Sequence, residues 1–422
     1  MRISTSQFYT ASLTGILNQQ STISQLSQQL STGNQLVNPS DQPVAAAQVV
    51  GLAGQLNRLA GWQQNAQNAQ NALQLESSTV QSTGTLLNQV RNLALQMNNA
   101  TVSSQDLASA ANAMGGYLQQ LLQYTNAQDG QGNYLFAGSQ SQTQPFSLLP
   151  NGQVQYFGDG GQNQLAIGSS QQTPVSDPGS ALFMNIPAGN GSFTVAASGS
   201  NSGDAVAGPG SVANPALAQQ LLVANQTQYQ ISFSGSAASG GTQTYSVTSG
   251  TGSGMSGAGV IASGAFTAGT SISIPASGGS TVLIVPVQGT PASGDTFTIG
   301  AAGNQSLFTI FQNLQQVFSS NGTAPGANAR RAQTIGNALA SLDQAQTTLL
   351  NTQAAIGTRL QQVQAVQNMN SSLTLQFQTQ QSQLTDISYP QVITAYQQSL
   401  TALQASEAAY AKVQGLSLFN YL

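Results

Sequence analysis

The two ends of this chain carry apolar residues at seven-residue spacing, while its middle carries none. Tyr9, Ile16, Ile23, Leu30 and Val37 form the first line; Ile335, Leu342, Leu349, Ile356, Val363, Asn370, Phe377 and Leu384 form another toward the C-terminus. A strict heptad places one stripe on one side of an α-helix and requires a partner helix against it. First and last segments that both need a partner are expected to pair with each other and then with neighbouring copies. The layout is that of an assembly subunit.

The N-terminal stripe is only half filled. Residues 5–36 read as one helix in which Leu13 joins the Tyr9 line, but Gln20 and Ser27 take the other seam positions. A helix this weakly apolar is marginal alone. After the break at Asn38, Pro39, Ser40, Asp41 and Pro43 read as a helix start: Ser40 or Asp41 accepts from first-turn amides, and Pro43 suits an early helical position. A third line follows, running from Ala45 and Leu52 to Leu87 and Ala94, and predicts a helix over 44–99 about 85 Å long. Ser103 starts a shorter helix with Leu107, Met114, Leu118 and Leu121 on one face, and Asp129 to Gly138 reads as a turn and short strand.

From about residue 145 the period becomes two. Asn151-Gly152 marks a tight hairpin, and strands are predicted at 228–234, 243–248, 271–274, 281–287 and 296–299 between Gly-rich connectors. The stretch 234–259 is nearly low-complexity and is expected to be a loop. Helical spacing resumes at Leu307, and 327–384 predicts a second helix of about 85 Å, antiparallel to the first, with Asn370 fixing register. Tyr389-Pro390 breaks it. A last helix carries Ile393, Tyr396, Leu400 and Leu403 and ends in the apolar Leu416, Leu418 and Phe419.

The fold class is therefore mainly α with an inserted β domain. Residues 1–40 with 388–422 form a terminal coiled-coil-like assembly domain, 41–146 with 322–387 a long-helix bundle, and 147–321 a Gly/Ser/Thr-rich antiparallel β outer domain. The expected assembly seam is Tyr9, Leu13, Ile16, Ile23, Leu30, Ile393, Tyr396, Leu400, Leu403, Leu416, Leu418 and Phe419. These marginal helices are expected to stay unfolded until neighbours complete their apolar contacts.

Composition narrows the function. Charged residues are 4% of the chain, against roughly 25% in ordinary soluble domains. The seven basic residues form no cluster, so no nucleic-acid footprint is expected. The chain has no His and no Cys, and its eleven carboxylates are scattered; no catalytic, metal or cofactor residues are assigned and an enzyme is not expected. Asp129, Gln131 and Asn133 begin like a calcium loop, but Tyr134 stands where glycine is required. The Gly252–Gly257 string matches a dinucleotide fingerprint only as letters, with no helix after it. No run is long enough to span a membrane, and the N-terminus lacks the apolar region of a cleavable secretory signal.

The motifs Met1-Arg2-Ile3-Ser4-Thr5, Leu30-Ser31-Thr32-Gly33, Asn38 to Ala46, Asp129 to Gly138 and Leu416-Ser417-Leu418-Phe419 occur in this order. In them the chain resembles the flagellar hook-associated protein 3 family of hook–filament junction subunits, within the flagellin-like superfamily. Asn34-Gln35 departs from the family, whose members often have basic residues there. The resemblance implies an extracellular flagellar subunit, exported unfolded through the flagellar type III apparatus and held beforehand by a chaperone at its C-terminal helix. It implies a ring-like layer of copies between hook-associated protein 1 and the first flagellins, with the terminal helices innermost and the β domain outward. The alternatives are the flagellin filament subunit itself, or a surface adhesin with a β binding module on a helical stem.

Overall fold

The computed structural model describes residues 5–99, 101–235, 242–251, 259–276, 279–320, 322 and 326–415. Its helices are α1 (Thr5–Thr32), α2 (Pro43–Met97), α3 (Ser104–Thr125), α4 (Pro215–Ala218), α5 (Leu307–Ser319), α6 (Ala327–Thr385) and α7 (Tyr389–Gly415). The chain divides into two compact units. One comprises Met1–Ala66, Ala166–Gln171 and Ala365–Leu422; the other comprises Gln67–Leu165 and Gln172–Gln364.

In the second unit the heptad lines become core. Leu73, Val80, Leu87 and Ala94 of α2 and Ile335, Leu342, Leu349, Ile356 and Val363 of α6 are all buried. The helices run antiparallel there: Arg91 Nε pairs with Asp343 Oδ1 at 3.1 Å, and Gly84 faces the Gln346 amide. Helix α3 starts where Ser103 accepts the Asp106 amide at 3.2 Å. It packs on α5, which is opened by Ser306 accepting from the Thr309 amide at 3.0 Å.

The Tyr134–Gly138 turn drives Leu135, Phe136 and Ala137 into this core. Phe136 meets Phe183 edge-on at 5.1 Å, and Phe146 of the 146–156 hairpin lies 5.2 Å from Phe308 of α5. Gly138, at φ +72°, sits against Asp159 so closely that a Cβ would overlap it. The Asp129 carboxylate accepts the Gln131 and Asn133 amides at 2.8 Å and Asn133 Nδ2 at 3.0 Å. Burial pushes its pKa up, but those bonds outweigh it and hold the carboxyl below its ordinary value. The segment is a self-capped turn.

The β region is two antiparallel sheets closed over one apolar core that includes Phe193, Tyr229, Ile231, Phe233, Val285 and Phe297. One sheet has the order Gly259–Ala265, Thr244–Thr251, Thr227–Ser234, Thr296–Ala301, Phe193–Ala197. The other centres on Thr281–Gln288, flanked by Ser271–Pro275 and Val206–Ala207. Chain entry and exit are side by side: Ile186–Pro187 pairs with Asn304–Gln305, and the Ala188 amide donates to Gly303 at 2.9 Å. Several strands differ from expectation: Phe193–Ala197, Gly259–Ala265 and the short Ile186–Pro187, Val206–Ala207 and Asn304–Gln305 were not predicted, and Thr244–Thr251 is a paired strand inside the 234–259 stretch read as a loop. The Gly252–Gly257 string lies outside the described residues.

Polar side chains along α6 hold the outer strands of both sheets and the connector before Phe193. Gln333 Oε1 accepts the Ala207 amide at 2.8 Å, Asn337 Nδ2 donates to Val195 O at 2.7 Å, and Ser341 Oγ accepts the Gly189 amide at 3.0 Å. Arg330 donates to the Asn201 carbonyl. In the first unit, the Asn370 expectation is corrected. Its Nδ2 donates to the Ile167 carbonyl at 3.0 Å, so it ties the 166–171 loop to α6 instead of setting helix–helix register.

Because Ala207 and Gln333 are both buried, Gln333→Ala strands a buried amide. We expect the substitution to cost about 1–3 kcal/mol in urea unfolding; an unchanged midpoint would count against this clamp.

Candidate assembly surface

Helices α1 and α7 pack antiparallel on each other. Tyr9 meets Tyr410 edge-to-face at 6.2 Å, and Gln19 Nε2 donates to the Ser399 carbonyl at 3.1 Å. The helix over 5–36 stops early, at Thr32, because Gly33 takes φ +72° and ends it. That turn clasps the junction between α6 and α7. The Gln35 amide donates to Thr385 O at 2.6 Å, the Ile387 amide donates to Gly33 O at 3.2 Å, and Asn34 bridges Asp386. Asn34 and Gln35, which the sequence marked only as a departure from a family pattern, thus contribute backbone to the joint.

The burial of this pair is incomplete. Tyr9, Ile16, Ile23, Leu30, Tyr396, Leu400 and Leu403 are half-buried, and no described side chain of α1 or α7 is fully buried. Leu13 and Ile393 face solvent, as does Leu17 at 55% exposure. Leu17 was not singled out from sequence, although its i+4 spacing from Leu13 was the available signal. On α7, Ile393, Gln397, Thr401 and Ala405 line an open groove with Thr394 and Ala402. The same unit exposes Val50 on α2 and Leu375 on α6, at 73% and 66%. Leu416, Leu418 and Phe419 lie outside the described residues.

The helix-start residues have mixed uses. Pro43 opens α2, where the Gln42 carbonyl accepts the Ala46 amide at 3.0 Å. Asp41 Oδ2 accepts Gln25 Nε2 at 3.1 Å, tying the turn through Pro39 and Ser40 back to α1. Helix α1 carries no charged residue, and α7 carries only Glu407 and Lys412. Its contacts are therefore apolar and amide-based. Among the described residues no group of three His, Cys, Asp or Glu could hold a metal ion, and no helix is long and apolar enough to cross a membrane.

Residues 3–141 match the family model of the bacterial flagellin N-terminal helical region, so in its first third the chain is flagellin-like. Within that class the chain is similar to flagellar hook-associated protein 3 of Salmonella typhimurium, 32% identical over 195 residues, covering 44% of this chain and 58% of the relative. The match thus spans less than two thirds of that relative's length. Among solved structures, flagellar hook associated protein-3 from Legionella pneumophila superposes with TM-score 0.70 at 28% identity, covering 79% of this chain and 98% of that one. The flagellar junction protein FlgL from Legionella pneumophila gives 0.67 at 28%, covering 80% and 99%. The likeness read from the sequence motifs is borne out.

A side chain at Gly33 meets left-handed strain and lies 3.3 Å from the Tyr389 hydroxyl. Gly33→Ala is expected to weaken the clasp by about 1–2 kcal/mol, seen as faster hydrogen exchange at the Gln35 and Ile387 amides. Unchanged protection at both would contradict the clasp.

Proposed function

We propose that this chain is a structural subunit of the bacterial flagellum that forms the junction between hook and flagellin filament. Copies assemble as a ring-like layer between hook-associated protein 1 and the first flagellins. The chain is held by a chaperone at its C-terminal helix beforehand and is then exported unfolded through the flagellar type III apparatus. The single observation that carries this reading is the α1–α7 pair, which leaves Leu13, Leu17 and Ile393 exposed. A helix pair that leaves apolar side chains exposed is completed by neighbours, and the likeness to a flagellar junction protein supports reading those neighbours as flagellar subunits. On this reading the seam comprises Tyr9, Leu13, Ile16, Ile23, Leu30, Ile393, Tyr396, Leu400 and Leu403, with Leu416, Leu418 and Phe419 beyond it.

The match to the flagellin N-terminal region favours one second reading, the filament subunit itself. Deleting the gene separates the two. Loss of the junction leaves hooks in place while flagellin is shed unpolymerised; purified chain that grows alone into long filaments would favour the filament subunit and overturn the junction assignment.

Replacing Ile16 and Ile23 together with Ser is expected to abolish incorporation while the α2–α6 core keeps its unfolding midpoint. Normal junctions built from that double variant would refute the seam.

A further inference from the structure

Glu76 on α2 is completely buried. Its Oε1 accepts the main-chain amide of Asp177 at 2.8 Å, while Oε2 has no protein hydrogen-bond partner. The two charged groups that bear on it are Asp177, from the segment 175–179, and Arg359, from α6. Arg359 is committed to Asp177: its Nη2 and Nη1 reach the two carboxylate oxygens at 2.8 and 3.0 Å, and Gln162 Nε2 adds a bond to Oδ1 at 2.7 Å. Two carboxyl groups therefore share one guanidinium, already bound by the other partner. An ionised Glu76 here would be a buried charge beside a like charge, without a cation of its own. Burial first, and the Asp177 charge second, push Glu76 up to about 8, against the Asp177 amide bond and the Arg359 charge.

We propose that Glu76 is a proton-linked joint, neutral in the folded protein, whose ionisation in alkaline medium loosens the 175–179 segment from α2. The segment matters beyond its own contacts. The Gly179 amide donates to the Phe136 carbonyl at 2.9 Å, and a Cβ at Gly179 would lie 2.7 Å from the Phe146 ring. What Glu76 holds is thus one wall of the aromatic cluster under α5.

The sign follows from linkage. The folded-state value exceeds the unfolded one, near 4.5, so the stabilisation is complete below about 4.5 and is lost as pH rises to about 8. Folding takes up one proton within this window. The chain makes the effect readable, because with no His and no Cys only the α-amino group otherwise titrates between pH 5.5 and 8.

The test is urea unfolding of the dilute full chain at pH 5.5, 7.0 and 8.5, for wild type and Glu76→Gln. The wild-type folding constant is expected to fall by up to tenfold per pH unit across the lower part of this range. Glu76→Gln is expected to lose that slope and to be the more stable protein at pH 8.5. A flat wild type, or a Glu76→Gln variant that keeps the wild-type slope, overturns the proposal. Should the variant not fold, wild-type refolding at pH 7 in weakly buffered solution decides: uptake of close to one proton per chain supports the joint, and no uptake overturns it.

Discussion

The contact between α1 and α7 sets the terms for everything else in this protein. It is antiparallel, held by an edge-to-face Tyr9–Tyr410 pair and by half-buried aliphatic side chains. Apolar burial stabilises by about 25 cal/mol per Å², so a pair with no fully buried side chain among the described residues gains little, and helices of this composition are marginal without it. The α2–α6 core differs in kind, because its heptad positions from Leu73 to Ala94 and from Ile335 to Val363 are closed to solvent. One chain thus joins a closed core to ends whose apolar side chains stay partly open to solvent.

The shortage of charge has a structural counterpart. With eleven acidic residues in all, carboxylates are spent on backbone: Asp129, Asp159, Asp204 and Asp295 each accept main-chain amides within turns or between loops. Amide side chains take over work that ion pairs do elsewhere. Gln333, Asn337 and Asn370 bind carbonyls or amides of segments far away in sequence. Such bonds are directional and weakly screened, which suits a protein that must keep fixed geometry on a nearly neutral surface.

The helices were legible because heptads of Leu, Ile and Val repeat over many turns and helix starts are marked by Ser103 and Pro43. The β region was harder. Gly259–Ala265 has mostly small side chains, and it is a strand because its backbone pairs with Thr244–Thr251, not because its own pattern alternates. Phe193–Ala197 does alternate, but five residues between Gly/Ser clusters give a short signal. Asn370 kept its seam position and turned its bond to a loop that no helix-based reading places nearby. The Gly33–Gln35 clasp was missed because it works through main-chain atoms, which residue identity hardly constrains. Glu76 was invisible as a special residue, since its burial depends on Asp177 and Arg359, 101 positions and much of the chain away.

The paired strands Ile186–Pro187 and Asn304–Gln305 make the β insertion a two-lead attachment, with both leads emerging adjacent. An insertion fastened in this way can change length or content between its leads without altering the spacing of the helices that carry it. The row of Gln333, Asn337 and Ser341 limits that freedom. Any replacement module must still present an amide to Gln333, a carbonyl to Asn337 and an amide to Ser341, as Ala207, Val195 and Gly189 do here, so variation is tolerated on the far side of the sandwich and resisted on the near one.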